Sequence, residues 1–301
     1  MSSALDEWSY GDSVYGLEPL VLPEPGSLPV YTEAADESAH LTTKRGNHHR
    51  LTISPVTTED LERLFWFRWI TGHHISFILW QLIANRMAGV AEGDRSGPSI
   101  ARWVRGYSAS LLYTSSCTRE IYNSLIRPSM YRVHPGFSGT WAPDYVPLRG
   151  LFRRGKLPPV APNEQEQLLR EIGLANQVHI GVASRLVPNG RSLLQNVAAA
   201  GSLSRQPQTW ATFFDCYFIT LRAQVPVQQV LTQLVRRCRA VVVDINANGL
   251  YPAAACYPEE FPDELRSTPV QALQKELFEI MVDIAGSAAS HPSAQSAGRR
   301  T

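Results

Sequence analysis

Two histidines stand side by side in the aromatic segment FWFRWITGHHISFILW, residues 65–80, and a third stands alone at position 179. A neutral imidazole moves protons near neutral pH and is the usual axial donor to heme iron. His73 and His74 cannot share a helix face, because successive residues are turned by about 100°. Ile70, Phe77 and Ile78 stand at i−4, i+3 and i+4 of His74, so the apolar stripe carries His74 inward and leaves His73 rotated away. The competing reading is a core histidine held by hydrogen bonds, since a polar group inside an apolar stripe is costly unless partnered. Gly72 would let another group approach the backbone closely. His179 falls on the ladder Leu168, Ile172, Ala175, His179, Val182, which predicts a buried stripe. Small residues around it, Gly173, Gly181, Ala183 and Ser184, would let a flat cofactor lie against the helix or would serve helix packing.

The remaining histidines offer less. His134 is ambiguous, and His40, His48, His49 and His291 fall in polar stretches expected to be solvated. No HExxH, GxSxG, Walker or GxGxxG pattern is present. The four cysteines, Cys117, Cys216, Cys238 and Cys256, form no CxxC pair, so scattered buried thiols are expected rather than a zinc knuckle. With 28 basic and 27 acidic residues the net charge is +1, which gives no polyanion signature; nucleic acid is not an expected partner. The chain opens on the polar, acidic MSSALDEWSYGDS, and its longest apolar stretch, Ile75–Ile83, is too short and too polar for a bilayer. These features predict a cytoplasmic protein without a signal peptide or membrane association.

The elements that must position these residues read as mainly helical. Hydrophobic residues at 44% and charged residues at 18% suit one large core. Residues 1–56 are rich in Pro, Glu, Ser and Thr and predict an irregular N-terminal arm, which could pack on a neighbouring copy in a homo-oligomer. Thr57-Thr58-Glu59-Asp60 looks like a capped start for a helix over Glu59–Ala88. A second helix is expected over Ile100–Ile126, ended by Pro128, followed by a proline-rich loop over Arg127–Pro162. Further helices are expected over Asn163–Arg185, Thr209–Gln224, Val227–Val243 and Val270–Ala285, with no clear strand. The helical domain thus spans 57–285, and 286–301 reads as a disordered tail.

Several of these segments resemble the heme-dependent L-tyrosine hydroxylases of natural-product biosynthesis, within the superfamily of tryptophan 2,3-dioxygenase. His74-Ile-Ser-Phe-Ile-Leu-Trp80 keeps that superfamily's interval from distal histidine to tryptophan. YTSSCTREIYNSL resembles the family's arginine-bearing helix, and the loop RPSMYRVHPGFSGTWAPDY looks most like the tyrosine hydroxylases. Related 3-methyltyrosine hydroxylases carry an HxxxC heme motif with an axial histidine and a porphyrin-attaching cysteine. Here the matching stretch is His179-Ile-Gly-Val-Ala183.

The resemblance, which runs from about Leu61 to Gly249, implies a tryptophan 2,3-dioxygenase-like helical fold. It also implies a heme b with His179 as the iron ligand, held non-covalently because Ala183 replaces the cysteine. It further implies L-tyrosine and hydrogen peroxide as substrates, 3,4-dihydroxyphenylalanine as product, and His74 as the distal proton-handling group. Arg119 is the first candidate for the substrate carboxylate, with Arg127 and Arg132 close competitors. The stretch VPNGRSLLQNVAAAGS is expected to close over the substrate. The alternatives are a heme dioxygenase acting on tryptophan or another indole, a non-catalytic heme carrier or sensor, and a helical interaction protein without cofactor.

Overall fold

Leu61–Ala91 forms α1, preceded by a 3-10 turn at Thr58–Asp60. The sequence places this helix correctly, but not as an amphipathic surface helix. Nearly every residue from Leu64 to Ile83 is buried, as expected of a helix that is apolar on all sides. The exceptions are Trp66, Trp69 and His73, spaced by three and four residues and therefore aligned in one less-covered stripe. The computed structural model describes residues 7–28, 51–93, 99–199 and 207–289.

The helix α2, Ile100–Thr114, is capped by Ser99, whose hydroxyl accepts from the Ala101 amide at 3.2 Å. It lies hard against α1. A Cβ on Gly72 would fall 2.0 Å from the Thr114 hydroxyl, so the close approach that Gly72 permits is a helix crossing. The chain then breaks at 115–118 and restarts, capped by Thr118, as α3 (Arg119–Ile121), a π-helical turn (Tyr122–Ile126) and α4 (Arg127–Val133). The expected single helix over 100–126 is therefore two, and Pro128 does not end the second. Proline lacks an N–H and crowds the carbonyl a turn earlier; the wider π turn lets Pro128 sit in the first turn of a renewed helix.

The expected long loop is mostly short helical pieces: 3-10 turns at Gly139–Trp141 and Pro143–Leu148, then α5, Arg149–Arg154. Next come α6 (Pro162–Leu186), α7 (Leu193–Ala199) and α8 (Pro207–Tyr217). After α9 (Val227–Asn248), a short α10 (Asp263–Arg266) precedes α11 (Thr268–Lys275) and α12 (Leu277–Ala289). Part of the expected tail, Gly286–Ala289, is thus helical; 290–301, with His291, lies outside the described residues. His40, His48 and His49 also lie outside them. α1 packs on α2 and α9, α2 on α6 and α12, and α9 on α12, which gives one mainly helical domain. Cys117 and Cys238 are buried, but Cys216 and Cys256 are exposed, against the expectation of buried thiols throughout.

The N-terminal arm is the largest departure from the sequence reading. Residues 7–28 pack into the core, with Trp8, Tyr10, Leu20 and Leu22 at most 2% exposed. Taking β1 as Glu7–Trp8, β2 as Leu20–Leu22, β3 as Leu51–Thr52 and β4 as Thr220–Arg222, β1 pairs antiparallel with β3, and β2 pairs parallel with β4. Gln233 of α9 reinforces β2, its amide bonding the Val21 N–H and C=O, each at 2.8 Å. Residues 7–28 thus pack on their own chain; residues 1–6 and 29–50 of the expected arm lie outside the described residues. Among the described residues no helix is long and apolar enough to cross a membrane.

Candidate active site

The stripe that places Trp69 and His73 together also fixes the state of His73. Its Nδ1 lies 2.6 Å from the Trp69 carbonyl one turn earlier. A carbonyl only accepts, so the proton is on Nδ1 and Nε2 carries a lone pair with no partner among the described residues. The ring stacks on Phe218, with centroids 4.3 Å apart, and contacts Trp69 at 4.3 Å. Burial among these rings lowers the His73 pKa to about 4, and the Trp69 carbonyl only partly offsets this. His73 is neutral at pH 7.

His74 points inward as its stripe predicts, yet it points into packed core. Its Nε2 donates to the Phe218 carbonyl, and its Nδ1 accepts from Arg237 Nε at 3.2 Å. Burial first, then the Arg237 charge, holds its pKa well below the usual value. Both ring nitrogens are committed. His74 has the geometry of a satisfied core histidine, and the free nitrogen of the pair belongs to His73. The sequence reading joined "inward" to "reactive", and the two separate here. The carbonyl that takes the His74 proton is presented by a strained turn, since β-branched Ile219 adopts φ of +50° just after Phe218.

More aromatic rings surround His73. The Trp69 Nε1 donates to the Tyr217 hydroxyl at 3.1 Å, which lies 2.8 Å from Ser129 Oγ. Tyr122, in the π turn, has its ring centroid 6.2 Å from that of Trp69. A seam of rings also continues along α1: His73 to Phe77 at 5.9 Å, Phe77 to Trp80 at 5.5 Å and Trp80 to Tyr145 at 5.2 Å. At its far end the Arg153 guanidinium lies 5.9 Å over Tyr145.

His179 is not on the buried stripe that its ladder predicts. The buried face of α6 turns through Ala175, Val178, Gly181 and Arg185, and leaves His179 exposed. Gly181 serves packing rather than a flat cofactor, because a Cβ there would meet Leu265 of α10 at 2.7 Å. Ala183 is half-buried one turn beyond His179. His74 bonds to α9 and to Phe218, whereas α6, which carries His179, packs on α2 and α10.

An axial histidine must be a neutral imidazole with an uncommitted nitrogen. His179 meets that requirement. It makes no hydrogen bond among the described residues. Although exposed by area, it is crowded enough that desolvation, followed by the Arg153 charge, lowers its pKa. The seam that runs from His73 toward Arg153 also contains the Trp80 indole N–H, buried without an acceptor. In donor chemistry the residues fit a histidine-held heme. Among the described residues no cluster of three or more His, Cys, Asp or Glu could hold a bare metal ion.

The three candidate arginines share the helical run 119–133 but not one environment. Arg119 is exposed, and its Nε donates to the Arg185 carbonyl at 2.8 Å. Arg127 donates to the Arg191 carbonyl at 3.2 Å, and its charge acts on the Tyr122 phenol. Arg132 is exposed beside Tyr131 in an open cleft with Arg127 and Leu193. His134 caps α4, its Nδ1 accepting from the Gly136 amide at 2.9 Å. The expected lid is a 3-10 turn at Pro188–Gly190 followed by α7; residues 200–206 lie outside the described residues.

Residues 54–166 match the SfmD 3-methyl-L-tyrosine peroxygenase family. The match agrees with the resemblance read from the sequence, and it names an enzyme family. It spans all of α1, with His73 and His74, and the helical run carrying Arg119, Arg127 and Arg132; it stops short of His179. No curated protein matches the chain.

Sequence reasoning passed over three features of this site. The tautomer that frees His73 depends on a backbone carbonyl one turn away, which residue spacing alone could have suggested. Arg237, the partner of His74, sits in a helix far along the chain and gave no local signal. The π turn is visible only as a proline where a helix should have stopped.

Proposed function

We propose that this chain is a heme-dependent peroxygenase that hydroxylates the ring of L-tyrosine at the 3-position. The overall reaction balances as L-tyrosine plus hydrogen peroxide giving 3,4-dihydroxyphenylalanine plus water. The observation that carries the reading is the peroxygenase family match across 54–166. Bound heme would activate the hydrogen peroxide, which is the two-electron oxidant. His179 would hold it, through a ring nitrogen that no protein group uses, and Ala183 offers no thiol for a covalent link.

The chain's own part begins at His73. Its Nε2 lone pair can take a proton from peroxide or from the phenol, while the Trp69 carbonyl fixes the ring's tautomer and orientation. Trp69, Phe218 and Phe77 exclude water around it and offer ring faces and edges to a phenol. His74 and Arg237 hold the Phe218 carbonyl, and so the stacking partner of His73, in place. Arg119 is the candidate for the substrate carboxylate.

The test is spectroscopic first and chemical second. Purified protein supplied with heme should show a Soret band that His179→Ala weakens or shifts. Anaerobic addition of hydrogen peroxide and L-tyrosine should then give 3,4-dihydroxyphenylalanine. A loaded protein that consumes no tyrosine with peroxide would remove the reading, and turnover only with dioxygen would favour the dioxygenase alternative.

A further inference from the structure

The chain contains two Asn-Gly pairs, Asn189-Gly190 and Asn248-Gly249. In such a pair the glycine nitrogen can attack the side-chain carbonyl of the asparagine, because the glycine has no side chain to obstruct the approach. The nitrogen must first give up its proton and any hydrogen bond, and the asparagine must turn about ψ to bring the two atoms together. The fold treats the two pairs in opposite ways.

Asn248 is locked. It ends α9, where the helical ladder holds its ψ, and the Gly249 N–H donates to the Ile245 carbonyl at 2.8 Å. Its Nδ2 donates to the Tyr15 hydroxyl and to an Asp244 carboxylate oxygen, each at 2.7 Å, and its Oδ1 accepts from the Val56 amide at 2.8 Å. Asn189 has none of these restraints. It and Gly190 are exposed in the short 3-10 turn that follows α6, and the Asn189 side chain makes no hydrogen bond among the described residues. Asn189 and Gly190 are both left-handed, at φ of +53° and +64°, so no helix runs through the pair to fix ψ. The Gly190 N–H reaches the Val187 carbonyl at 3.2 Å, a longer bond than the one at Gly249.

We propose that Asn189 is a site of spontaneous deamidation that the fold leaves open, and that the fold protects Asn248. The Gly190 nitrogen bonds to the Asn189 Cγ, the Cγ–Nδ2 bond breaks, and Nδ2 leaves as ammonia with the proton from the glycine nitrogen. Water then opens the cyclic imide at either carbonyl, giving aspartate or isoaspartate at position 189. Nothing is oxidised or reduced, and water is the only co-reactant. Both products add a negative charge two residues from Arg191, and isoaspartate also lengthens the backbone by one atom. The Arg191 carbonyl accepts from Arg127, so the change reaches the helical run that carries the candidate arginines. No part of this inference rests on the peroxygenase reading.

The experiment follows full-length protein, held folded at mildly alkaline pH for days, by tryptic digestion and mass spectrometry. Isoaspartate is detected by methyl transfer from S-adenosylmethionine with an isoaspartate-specific carboxyl methyltransferase. Trypsin releases Asn189 in peptide 186–191 and Asn248 in peptide 240–266. Peptide 186–191 should convert faster by about tenfold or more, because Asn248 must first lose several hydrogen bonds. In urea, which removes the fold, the two pairs should convert at similar rates. Asn189→Gln should abolish the fast conversion and leave peptide 240–266 unchanged. Equal rates in the folded chain, or an Asn189 that stays intact there while both pairs convert in urea, would overturn the proposal. So would a difference that persists in urea, since it would then belong to the local sequence and not to the fold.

Discussion

At the scale of single residues, adjacent histidines one helical step apart have opposite chemistry because their hydrogen-bond partners differ. His73 donates to a carbonyl of its own helix and keeps a lone pair free. His74 spends both nitrogens on Phe218 and Arg237. If His73 handles the proton, His73→Ala in heme-loaded protein should cost a factor of about 10²–10⁴ in single-turnover tyrosine oxidation with the fold intact. His74→Leu should act on stability, because it strands Arg237 and the Phe218 carbonyl without that partner, at about 1–3 kcal/mol for a buried group left unsatisfied. Urea melts and single-turnover rates on both variants separate these effects. A stable, inactive His74→Leu beside an active His73→Ala would return the role to His74. The sequence contained the rotation between the two rings, since helix geometry sets it. It did not contain their partners, which lie across the core.

At the scale of elements, periodicity located the long helices and failed where the chain changes period. α1, α6 and α9 are legible because apolar residues recur at three- and four-residue steps over many turns. The stretch Leu17–Leu22 has no such step and read as an arm, although the alternation of Leu20 and Leu22 is what a two-sided strand requires. Its partner β4 lies about 200 residues further along the chain, beyond the reach of any local pattern. The segment also supplies the Glu18 and Pro19 carbonyls to Arg237, each at 3.0 Å, and pairs Glu18 with Arg236. Removing residues 1–28 should therefore leave a buried guanidinium unsatisfied and expose the core under Leu20 and Leu22. Leu20→Ala alone should cost about 2–5 kcal/mol in chemical denaturation. A truncated chain that melts at the full-length temperature would show that the segment is dispensable.

At the scale of the whole molecule, the core is tied by buried arginines whose partners come from distant elements. Arg68 of α1 forms a two-point pair with Asp244 of α9, at 2.7 and 3.0 Å, and donates to the Gly249 and Leu250 carbonyls. Breaking such a pair strands a charge, at about 3–5 kcal/mol. Neither residue carries a sequence signal beyond being charged among apolar neighbours, so this framework was legible only as an anomaly.

The same dry core sets how stability depends on pH. An unfolded histidine titrates near pH 6.5. His73 in the folded protein titrates at about 4, and His74 lies well below its usual value, both chiefly through burial. Between those limits the unfolded chain binds more protons than the folded one, so acid favours unfolding. The histidine contribution is complete above about pH 6.5 and is lost as pH falls toward the folded values. Each histidine adds a slope of up to about 1.4 kcal/mol per pH unit inside that window. Burial raises the carboxyl pKa values of Asp215 and Glu171, which acts in the opposite sense but starts from the lower carboxylate range. From pH 6.5 to about 5.5 the buried histidines should dominate, with His179, whose pKa burial also lowers, acting in the same sense as His73 and His74. Urea denaturation at pH 7.5, 6.5 and 5.5 should show little change over the first step and a clear loss over the second. His73→Phe, which keeps the ring stack and removes one titrating site, should reduce that loss by about a third to a half, His179 and His74 carrying the rest. Stability that is flat or rising from pH 6.5 to 5.5 would mean that these rings are hydrated, and with them the site around His73.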